Sequence, residues 1–529
     1  MITKFFKIFF IIFVLLYSYT IVIQKLLSKT INLAISSEVE SLDPNYSNKF
    51  WQINPIENIW TGLFELNASG EIQNAIVESW SFDKDTNTYI FKLKKTLWND
   101  GKPLTANDFL FSYERILNPK NASKFASILY EIKGAKDYNT GLIKQFHLVG
   151  VKVLDDYTLK IILEQPDVMF IKKMLHSAYY PIPQHIVKKY GKEWSKVGKI
   201  VSNGAYKIVD WKPQSIIILT KNPYYYEKDL VKITDINFYY VGFDVSTEYK
   251  MFLSKQLDIA NFSSTNIDQV KKNFPNSFYT YPVKTQSYLS INLLNPSNNA
   301  LLNNQVRKAM AYALDSKYII DKLQISNIPS SNIVPKLFND YNSVEPVWVS
   351  MKFEDRLKKA KKIMESLGYN DKNRVTIRFN IFKSKNSQDL GILVKDIFKK
   401  IYIDLEFYTY DLSSFYLNLE KHNYDIAFVV WIADYDDPST FFYIMNSNTI
   451  NNYSGYKNNT FDDLIKKAII QEDGNKRKYL YNKAEQILYD DLPYLPYATS
   501  TRNIVVAEKI LNFKPFTIGN NLIKWLDIQ

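Results

Sequence analysis

The side chains that most often carry out chemistry are sparse in this sequence and are not grouped. There is no cysteine, which excludes disulfides, thiolate metal sites, iron–sulfur clusters and a thiol nucleophile. The four histidines are scattered (His147, His176, His185 and His422), and no two have the i, i+4 spacing of a helical metal site. The Gly-rich phosphate loops, H-E-x-x-H and G-x-S-x-G are missing from the sequence. We therefore expect no metal, no cofactor and no catalytic residue.

Adjacent carboxylates are the remaining candidates for acid–base chemistry. They occur at four places, namely Asp155-Asp156, Asp436-Asp437, Asp462-Asp463 and Asp490-Asp491. A catalytic pair has to face across a site, whereas acids adjacent in sequence are usually solvated residues of turns or helix starts. Nothing in this pattern argues for catalysis.

Length and composition describe an ordinary folded protein of several domains. The chain has 529 residues, with 46% apolar and 23% charged residues. Its 66 basic and 54 acidic residues give a net charge of +12, but opposite charges alternate and form no long basic block. We therefore expect no nucleic-acid partner. The aromatic content of 15% leaves two readings open, a large core or an aromatic-lined ligand cleft.

The N-terminus has the pattern of a targeting segment. Lys4 and Lys7 precede the apolar run IFFIIFVLL at 8–16, and 17 uncharged residues separate Lys7 from Lys25. Positive residues followed by a short apolar stretch are typical of secretory signals, and this length is near the lower limit for a membrane span. We interpret residues 1–30 as a signal peptide or an uncleaved anchor. The rest is then exported, to the periplasm or the outer face of the inner membrane.

Hydrophobic periodicity predicts helices and strands mixed along the whole chain, the signature of an α/β protein. Alternating segments predict strands at 31–39, 88–95 and 158–164. Helical spacing predicts helices at 104–117, 303–323, 353–369, 463–469 and 477–496. Thr105 is a plausible N-cap with Asp108 three residues later, and Gly368 is a plausible C-terminal cap.

Five segments, in the same order along the chain, resemble the oligopeptide/dipeptide-binding family of extracytoplasmic solute-binding proteins, in particular its oligopeptide branch. They are SEVESLDP (37–44), the W-x-D-G-x-P-x-T-A-x-D-F block with its flanks (75–119), VSNGAYKIVDWKPQ and its continuation (201–227), the strand and helix at 287–315, and YDIAFVVWIADYDDPSTF (424–441). Ala205 and Gln214 stand where the family usually has Pro and Gly.

This resemblance implies an α/β fold in which two lobes form a clamp like that of the periplasmic binding proteins, with an additional inserted domain. Lobe I would comprise residues 31–63, 184–284 and 497–529, the inserted domain 64–183, and lobe II 285–496. Strands near 284–288 and 495–498 would cross between the lobes and act as the hinge.

The resemblance also implies where a peptide would lie. Its backbone would pair with two strand edges, one at Asn48, Lys49 and Phe50 and the other at Val430, Trp431, Ile432 and Ala433. Asp434 would meet the peptide's α-ammonium, although a turn or N-cap role is the alternative for this residue. Trp431 and Tyr435 would line side-chain pockets or belong to the core, and Phe125 and Tyr130 lie where members carry cleft aromatics. Phe428 stands where long-peptide binders often have Arg.

The implied function is an exported protein, monomeric and without cofactor, that captures peptides and delivers them to an ABC permease with its ATPase subunits. Three alternatives are open: murein peptides as ligand on the same fold, a membrane-anchored sensor or adhesin on this fold, and an exported hydrolase. Only the composition supports the hydrolase.

Overall fold

Strands and helices are intermixed along the chain, as the periodicity predicts. The computed structural model describes residues 28–36, 38–39, 41–46, 50–242, 244–449, 451–518 and 522–529, with only the backbone at 50–54. The strands are β1 (Thr30–Ile35), β2 (Phe64–Leu66), β3 (Ile72–Asn74), β4 (Val77–Asp83), β5 (Thr88–Leu93), β6 (Thr96–Leu97), β7 (Pro103–Leu104), β8 (Val151–Asp155), β9 (Thr158–Ile162), β10 (Tyr206–Lys212), β11 (Ile216–Lys221), β12 (Asp235–Tyr240), β13 (Ile259–Asn261), β14 (Phe278–Ile291), β15 (Ile328–Pro329), β16 (Val375–Phe382), β17 (Ile403–Tyr410), β18 (Ile426–Ile432), β19 (Tyr494–Val506), β20 (Ile510–Leu511) and β21 (Asp527–Ile528).

The α-helices alternate with these strands and are longest in the second half of the chain. They are α1 (Phe50–Ile59), α2 (Ala106–Leu117), α3 (Ala135–Asn139), α4 (Phe170–Lys173), α5 (Gln184–Tyr190), α6 (Val245–Leu253), α7 (Ile267–Asn273), α8 (Asn304–Ala313), α9 (Ser316–Leu323), α10 (Phe353–Ser366), α11 (Lys385–Lys399), α12 (Leu412–Glu420), α13 (Ser439–Tyr443), α14 (Asn459–Ile469) and α15 (Gly474–Asp491). Within the described ranges, no helix is long and apolar enough to cross a membrane.

Three larger sheets organise the molecule. One has four strands in the order β1-β12-β11-β10, with β1 parallel to β12. A second, antiparallel sheet has the order β4-β5-β9-β8. The third has seven strands in the order β13-β19-β14-β18-β16-β17, with β15 added beside β19. The mixture of parallel and antiparallel pairs with covering helices is an α/β architecture.

Two large hydrophobic cores lie on either side of a pair of long strands. The first core takes its residues from 31–238 and 506–528, and the second from 288–498. Strands β14 and β19 pair with each other, and their ends lie in different cores: Tyr288 and Leu495 in the second, and Tyr279 and Val506 in or against the first. The predicted crossing strands therefore link the two cores at the place where a hinge was expected.

Local sequence signals account for several element boundaries. Thr105 and Asp108 form the predicted capping box at the start of α2. Gly368 follows α10 with a φ of 87°, a left-handed conformation that favours glycine after a helix. The predicted helix at 353–369 therefore ends where its cap signal places it.

Two predicted helices are shorter than their apolar patterns suggested. The segment 303–323 is two helices because Asp315 caps α9, its side chain accepting a hydrogen bond from the backbone N–H of Tyr318. The helix predicted at 477–496 ends at Asp491. Leu492 is left-handed and Tyr494 begins β19, so apolar residues that continue the helical pattern belong to a buried strand.

Candidate ligand-binding site

One edge of β18 is open over its second half. β18 pairs with β14 along its whole length, from Ile426 to Ile432. On its other side β16 pairs with it only at Ile426 and Ala427, and no other strand of the described chain meets the edge at 428–432. Free N–H and C=O groups on a strand edge can bond another extended chain. We call residues 428–432 the open edge; they are suited to bind an extended ligand.

Asp434 lies just beyond the open edge, where the chain turns from β18 towards α13. The hydroxyl group of Thr440 donates to Oδ2 of Asp434 (3.3 Å) and accepts from the backbone N–H of Asp434 (3.1 Å). The same oxygen lies 3.3 Å from the indole Nε1 of Trp431, which donates to it. Thr440 is buried. One hydroxyl group therefore connects the end of the strand, the turn and the carboxylate.

The carboxyl group of Asp434 is accessible to water but is crowded by protein on most sides. The limited hydration raises its pKa to about 7, and the hydrogen bond from Thr440 opposes this rise. None of the described Lys and Arg side chains forms an ion pair with it, so no cation of the protein offsets the loss of hydration. A ligand cation would do so. Because the group still reaches water, its charge can follow the pH of the solution.

The acids that follow Asp434 have separate roles. The Asp436 carboxylate pairs with Lys284 of β14, and its carbonyl oxygen accepts a hydrogen bond from Lys172 of α4 (2.7 Å). Asp437 is buried and accepts hydrogen bonds from the Tyr481 hydroxyl (3.1 Å) and from the backbone N–H of Ser439. Asp436 and Asp437 are therefore engaged in structural contacts with different partners.

The other residues predicted near Asp434 differ in their exposure. Val430 and Ile432 are 44% and 37% exposed. Trp431 is half-buried, and Ala433 and Tyr435 are buried. The Tyr435 hydroxyl bonds to Ser439 (3.0 Å). Val430 and Ile432 are thus the side chains that this segment presents most openly.

Phe125 and Tyr130 lie in the region that carries α2 and the second sheet. The Phe125 ring is buried and packs edge-on against His176, with 4.7 Å between ring centroids. The Tyr130 hydroxyl donates to Asn139 (2.6 Å), and Tyr443 lies near enough to contribute to the raised pKa of Tyr130. The ring contact of Phe125 and the hydrogen bond of Tyr130 are both made within this region. Of the two residues, Tyr130 is the one that lies near Tyr443 of α13.

The strand edge predicted at 48–50 falls partly outside the described residues. Asn48 and Lys49 belong to the part that is not described. Phe50 is the first residue of α1. At Phe50 the expectation of a strand is therefore wrong, because the chain has already entered a helix that continues to Ile59.

A buried charge cluster near the site was not recognisable from the sequence. Lys173 of α4 forms ion pairs with Glu131 and with Asp167, the latter at 2.7 Å. The cluster influences the pKa of Tyr435 and of Tyr443, so it lies beside the segment that carries Asp434. Thr440, Lys172 and Lys284 were equally unforeseen, since their roles depend on contacts between distant parts of the chain. In the described ranges, no grouping of three or more His, Asp or Glu residues could hold a metal ion.

Several ion pairs and hydrogen bonds connect the region of the second sheet with the region of the seven-stranded sheet. Besides the bond from Lys172 to Asp436, they are Lys84–Glu472, Lys124–Glu420, the Tyr443 hydroxyl to Ser127, and the Val168 N–H to the Ile469 carbonyl. The two parts of the molecule are therefore in contact on the side where Asp434 lies.

The chain is similar in sequence and in structure to several known proteins. The chain is 30% identical over 467 residues to the periplasmic oligopeptide-binding protein OppA of Escherichia coli, covering 87% of this chain and 85% of the relative. The structure superposes on Haemophilus influenzae OppA in complex with the peptide RPPGFSPFR with a TM-score of 0.86 at 24% identity, over 95% of this chain and 99% of the other. It superposes on the murein tripeptide binding protein MppA of Escherichia coli with a TM-score of 0.87 at 24% identity, over 95% and 98%.

Against an unliganded open form of MppA the TM-score is 0.71 at 24% identity, over 95% of this chain and 97% of the other. The neighbours have the predicted architecture, an α/β clamp of two lobes.

The match extends through the middle of the sequence. Residues 71–453 fit the profile described as "Bacterial extracellular solute-binding proteins, family 5 Middle". This range contains the open edge, Asp434, Thr440 and both partners of Asp436. The chain belongs to the family 5 bacterial extracellular solute-binding proteins.

Proposed function

We propose that this protein binds peptides between its lobes and delivers them to an ABC-type importer in the membrane. The observation that carries the proposal is the open edge of β18, followed two residues after its end by Asp434, a carboxylate without a cationic partner among the described residues. The family membership and the peptide bound to the Haemophilus influenzae neighbour support it. The chain would act as an exported monomer, and the permease and its ATPase subunits would supply the energy.

Peptide backbones and strand edges are complementary in a simple way. A peptide that leaves water must pair its N–H and C=O groups, and an open edge offers such partners without reading side chains. In this proposal residues 430–433 pair with the ligand backbone, and Asp434 pairs with its α-ammonium. Trp431 and Tyr435 border the same space. Pairing of the ligand backbone with Asn48 and Lys49, and wall positions for Phe125 and Tyr130, remain predictions.

The domain division is part of the same proposal. Residues 31–63, 184–284 and 497–529 would form lobe I, residues 64–183 the inserted domain, and residues 285–496 lobe II. The sheet β4-β5-β9-β8 lies wholly within 64–183, and the second hydrophobic core takes nearly all its residues from 285–496. Closure would then bring the inserted domain, through Lys172, onto the turn that carries Asp434.

Murein peptides are a second candidate ligand, favoured by the TM-score of 0.87 to a murein tripeptide binding protein. Binding measurements can distinguish the two candidate ligands. The protein, freed of ligand by unfolding and refolding, is titrated by calorimetry with a set of L-peptides of two to six residues and with a murein tripeptide. Ligand carried through purification is identified in parallel by mass spectrometry of the native protein. Failure of every peptide to bind, with none carried through purification, would contradict the proposed function.

Peptide affinity should depend on pH with a maximum between about pH 7 and 8. Below this range the Asp434 carboxyl, with its pKa of about 7 in the empty protein, has to lose a proton before it can pair with the ligand. Above it the peptide's α-amine, with an ordinary pKa of about 7.7–8.0, loses its own proton. Calorimetry in buffers of different ionisation enthalpy should detect a net release of roughly 0.3–0.4 proton per peptide bound at pH 7, because the ~0.5 proton lost by Asp434 is partly offset by the ~0.1–0.2 proton that the α-amine takes up. An affinity that is constant from pH 5 to 8 would contradict this role of Asp434.

Peptide binding should also make the molecule more compact in solution. A ligand that contacts both lobes binds the closed state better and shifts the population towards it. Small-angle scattering should therefore give a smaller radius of gyration for the peptide-saturated protein than for the ligand-free protein. The same radius with and without saturating peptide would count against a clamp.

A further inference from the structure

The two faces of the seven-stranded sheet differ in character at the open edge. Successive side chains of a strand point to opposite faces, and residues paired across two strands share a face. The register pairs Thr285 with Ile432 and Ser287 with Val430. These four side chains therefore lie on one face together with Phe428, and we call this set of five residues the aliphatic face.

The aliphatic face carries no charge. Its inner end is closed by Phe428, whose ring lies 4.6 Å from that of Phe379 and 6.1 Å from that of Tyr497, measured between centroids. Its outer end is the exposed pair Val430 and Ile432. A charged ligand side chain against this surface would lose hydration and find no counter-charge among these side chains, whereas an apolar one would bury surface that is now open to water.

The opposite face is different because it carries charged side chains as well as an aromatic ring. Trp431 pairs with Gln286 in the register, and Lys284 lies two residues earlier on the same face of β14. Lys284 forms an ion pair with Asp436, and the Asp436 carbonyl accepts from Lys172. We call Trp431, Lys284 and Asp436 the charged face. Asp436 is the exposed charge of this face, since its partner Lys284 is buried, and Trp431 adds a half-buried ring. Cationic, polar and apolar ligand side chains can each find a partner there.

We infer that the protein selects peptides with apolar side chains at alternate positions, set by Val430 and Ile432, and accepts varied side chains at the positions between. The inference rests on the proposed pairing of a peptide backbone with the open edge. An extended peptide paired with β18 sends its side chains alternately to the two faces. Every second residue then meets the aliphatic face, and its neighbours meet the charged face.

The test uses a pentapeptide of alanine with a free N-terminus as host. Leucine or lysine replaces alanine at one position at a time, and calorimetry gives the ratio of the two affinities at each position. At every second position of the peptide, we expect the leucine variant to bind at least tenfold more tightly than the lysine variant. At the positions between, this affinity ratio should be less than threefold. The double variant Val430→Thr/Ile432→Thr keeps the branched shape and adds hydroxyls. It should reduce the tenfold preference to less than threefold.

Val209 supplies the matched control, because it is a valine that is 52% exposed on β10, which belongs to a different sheet from β18. Val209→Thr should leave every ratio unchanged, and thermal unfolding checks that all variants are folded. Equal leucine-to-lysine ratios at all positions would overturn the inference while leaving peptide binding intact. An alternation that persists in the Val430→Thr/Ile432→Thr variant would also overturn it. Failure of every host peptide to bind would instead overturn the proposed function, and the inference with it.

Discussion

The Asp434→Asn variant is expected to bind free-amine peptides roughly 30-fold to several-thousand-fold more weakly than the wild type. In the complex the bound peptide would cover Asp434, and removing one member of a hydrogen-bonded charge pair that is buried in this way typically costs ~2–5 kcal/mol, because the other charge is left stranded. At about 1.4 kcal/mol per tenfold change, this gives the stated range of affinity. Asparagine keeps the shape and one acceptor oxygen for Thr440, so the substitution isolates the charge. Calorimetric titration with one peptide at pH 7.5 measures the loss.

Acetylating the peptide's N-terminus removes the same interaction from the ligand side. If Asp434 meets the α-ammonium, the two changes are strongly non-additive, and the acetylated peptide binds wild type and Asp434→Asn with nearly equal affinity. Asp340→Asn is the matched control, since Asp340 is an exposed aspartate of the same half of the chain. A wild type that binds acetylated and free peptides equally would show that Asp434 is only a turn residue. In that case Asp434→Asn should lower thermal stability without affecting the choice of ligand.

The motifs that reveal the family are mostly structural, which explains why the fold could be predicted from sequence more fully than the site. Trp98 is buried, and its indole N–H donates to Asp108 of the capping box (3.3 Å). A side chain at Gly204 would lie 2.4 Å from the backbone of Ile59, so no larger residue fits there. These residues stabilise the fold through packing and capping, so their spacing in the sequence indicates the fold.

The site itself depends on contacts that no local pattern encodes. Of the five matching segments, the last contains Asp434 and the open edge, and this part was predicted. Thr440, which fixes the Asp434 carboxylate, looks in the sequence like any threonine at a helix start. Lys172 and Lys284 reach Asp436 from parts of the chain more than a hundred residues away. Long side chains that meet only after folding leave no periodic signal, so tertiary structure is needed to find them.

A buried cluster beside the site offers the largest expected effect on stability. Lys173 is 9% exposed and lies between the carboxylates of Glu131 and Asp167. Burial pushes the pKa of Lys173 down, but Asp167 and Glu131 push it up by more, so it stays well above its ordinary value. Burial also raises the pKa of Glu131, which Lys173 opposes. The lysine is charged at every pH of practical interest, and its charge is what permits two carboxylates to share this space.

Lys173→Met should lower the free energy of unfolding by about 3–5 kcal/mol at pH 7, because it leaves carboxylates crowded together without a counter-charge. The loss should shrink as the pH falls towards 5. Glu131, whose pKa is raised in the folded state, then takes up a proton more readily in the folded chain than in the unfolded one, so low pH relieves the strain on the variant. Urea denaturation followed by tryptophan fluorescence at pH 5, 6 and 7 measures this.

Lys172→Met is the matched control for that experiment. Lys172 is the neighbour of Lys173 in the sequence. Among the described residues, its ammonium group makes one hydrogen bond, to the Asp436 carbonyl, and it forms no ion pair with a buried carboxylate. We expect Lys172→Met to change stability by less than about 1 kcal/mol at any of the three pH values. If Lys173→Met is as stable as Lys172→Met, the two carboxylates are hydrated without the lysine and the cluster is an ordinary surface ion pair. If Lys173→Met is unstable by the same amount at pH 5 and at pH 7, the loss comes from packing of the lysine stem rather than from its charge.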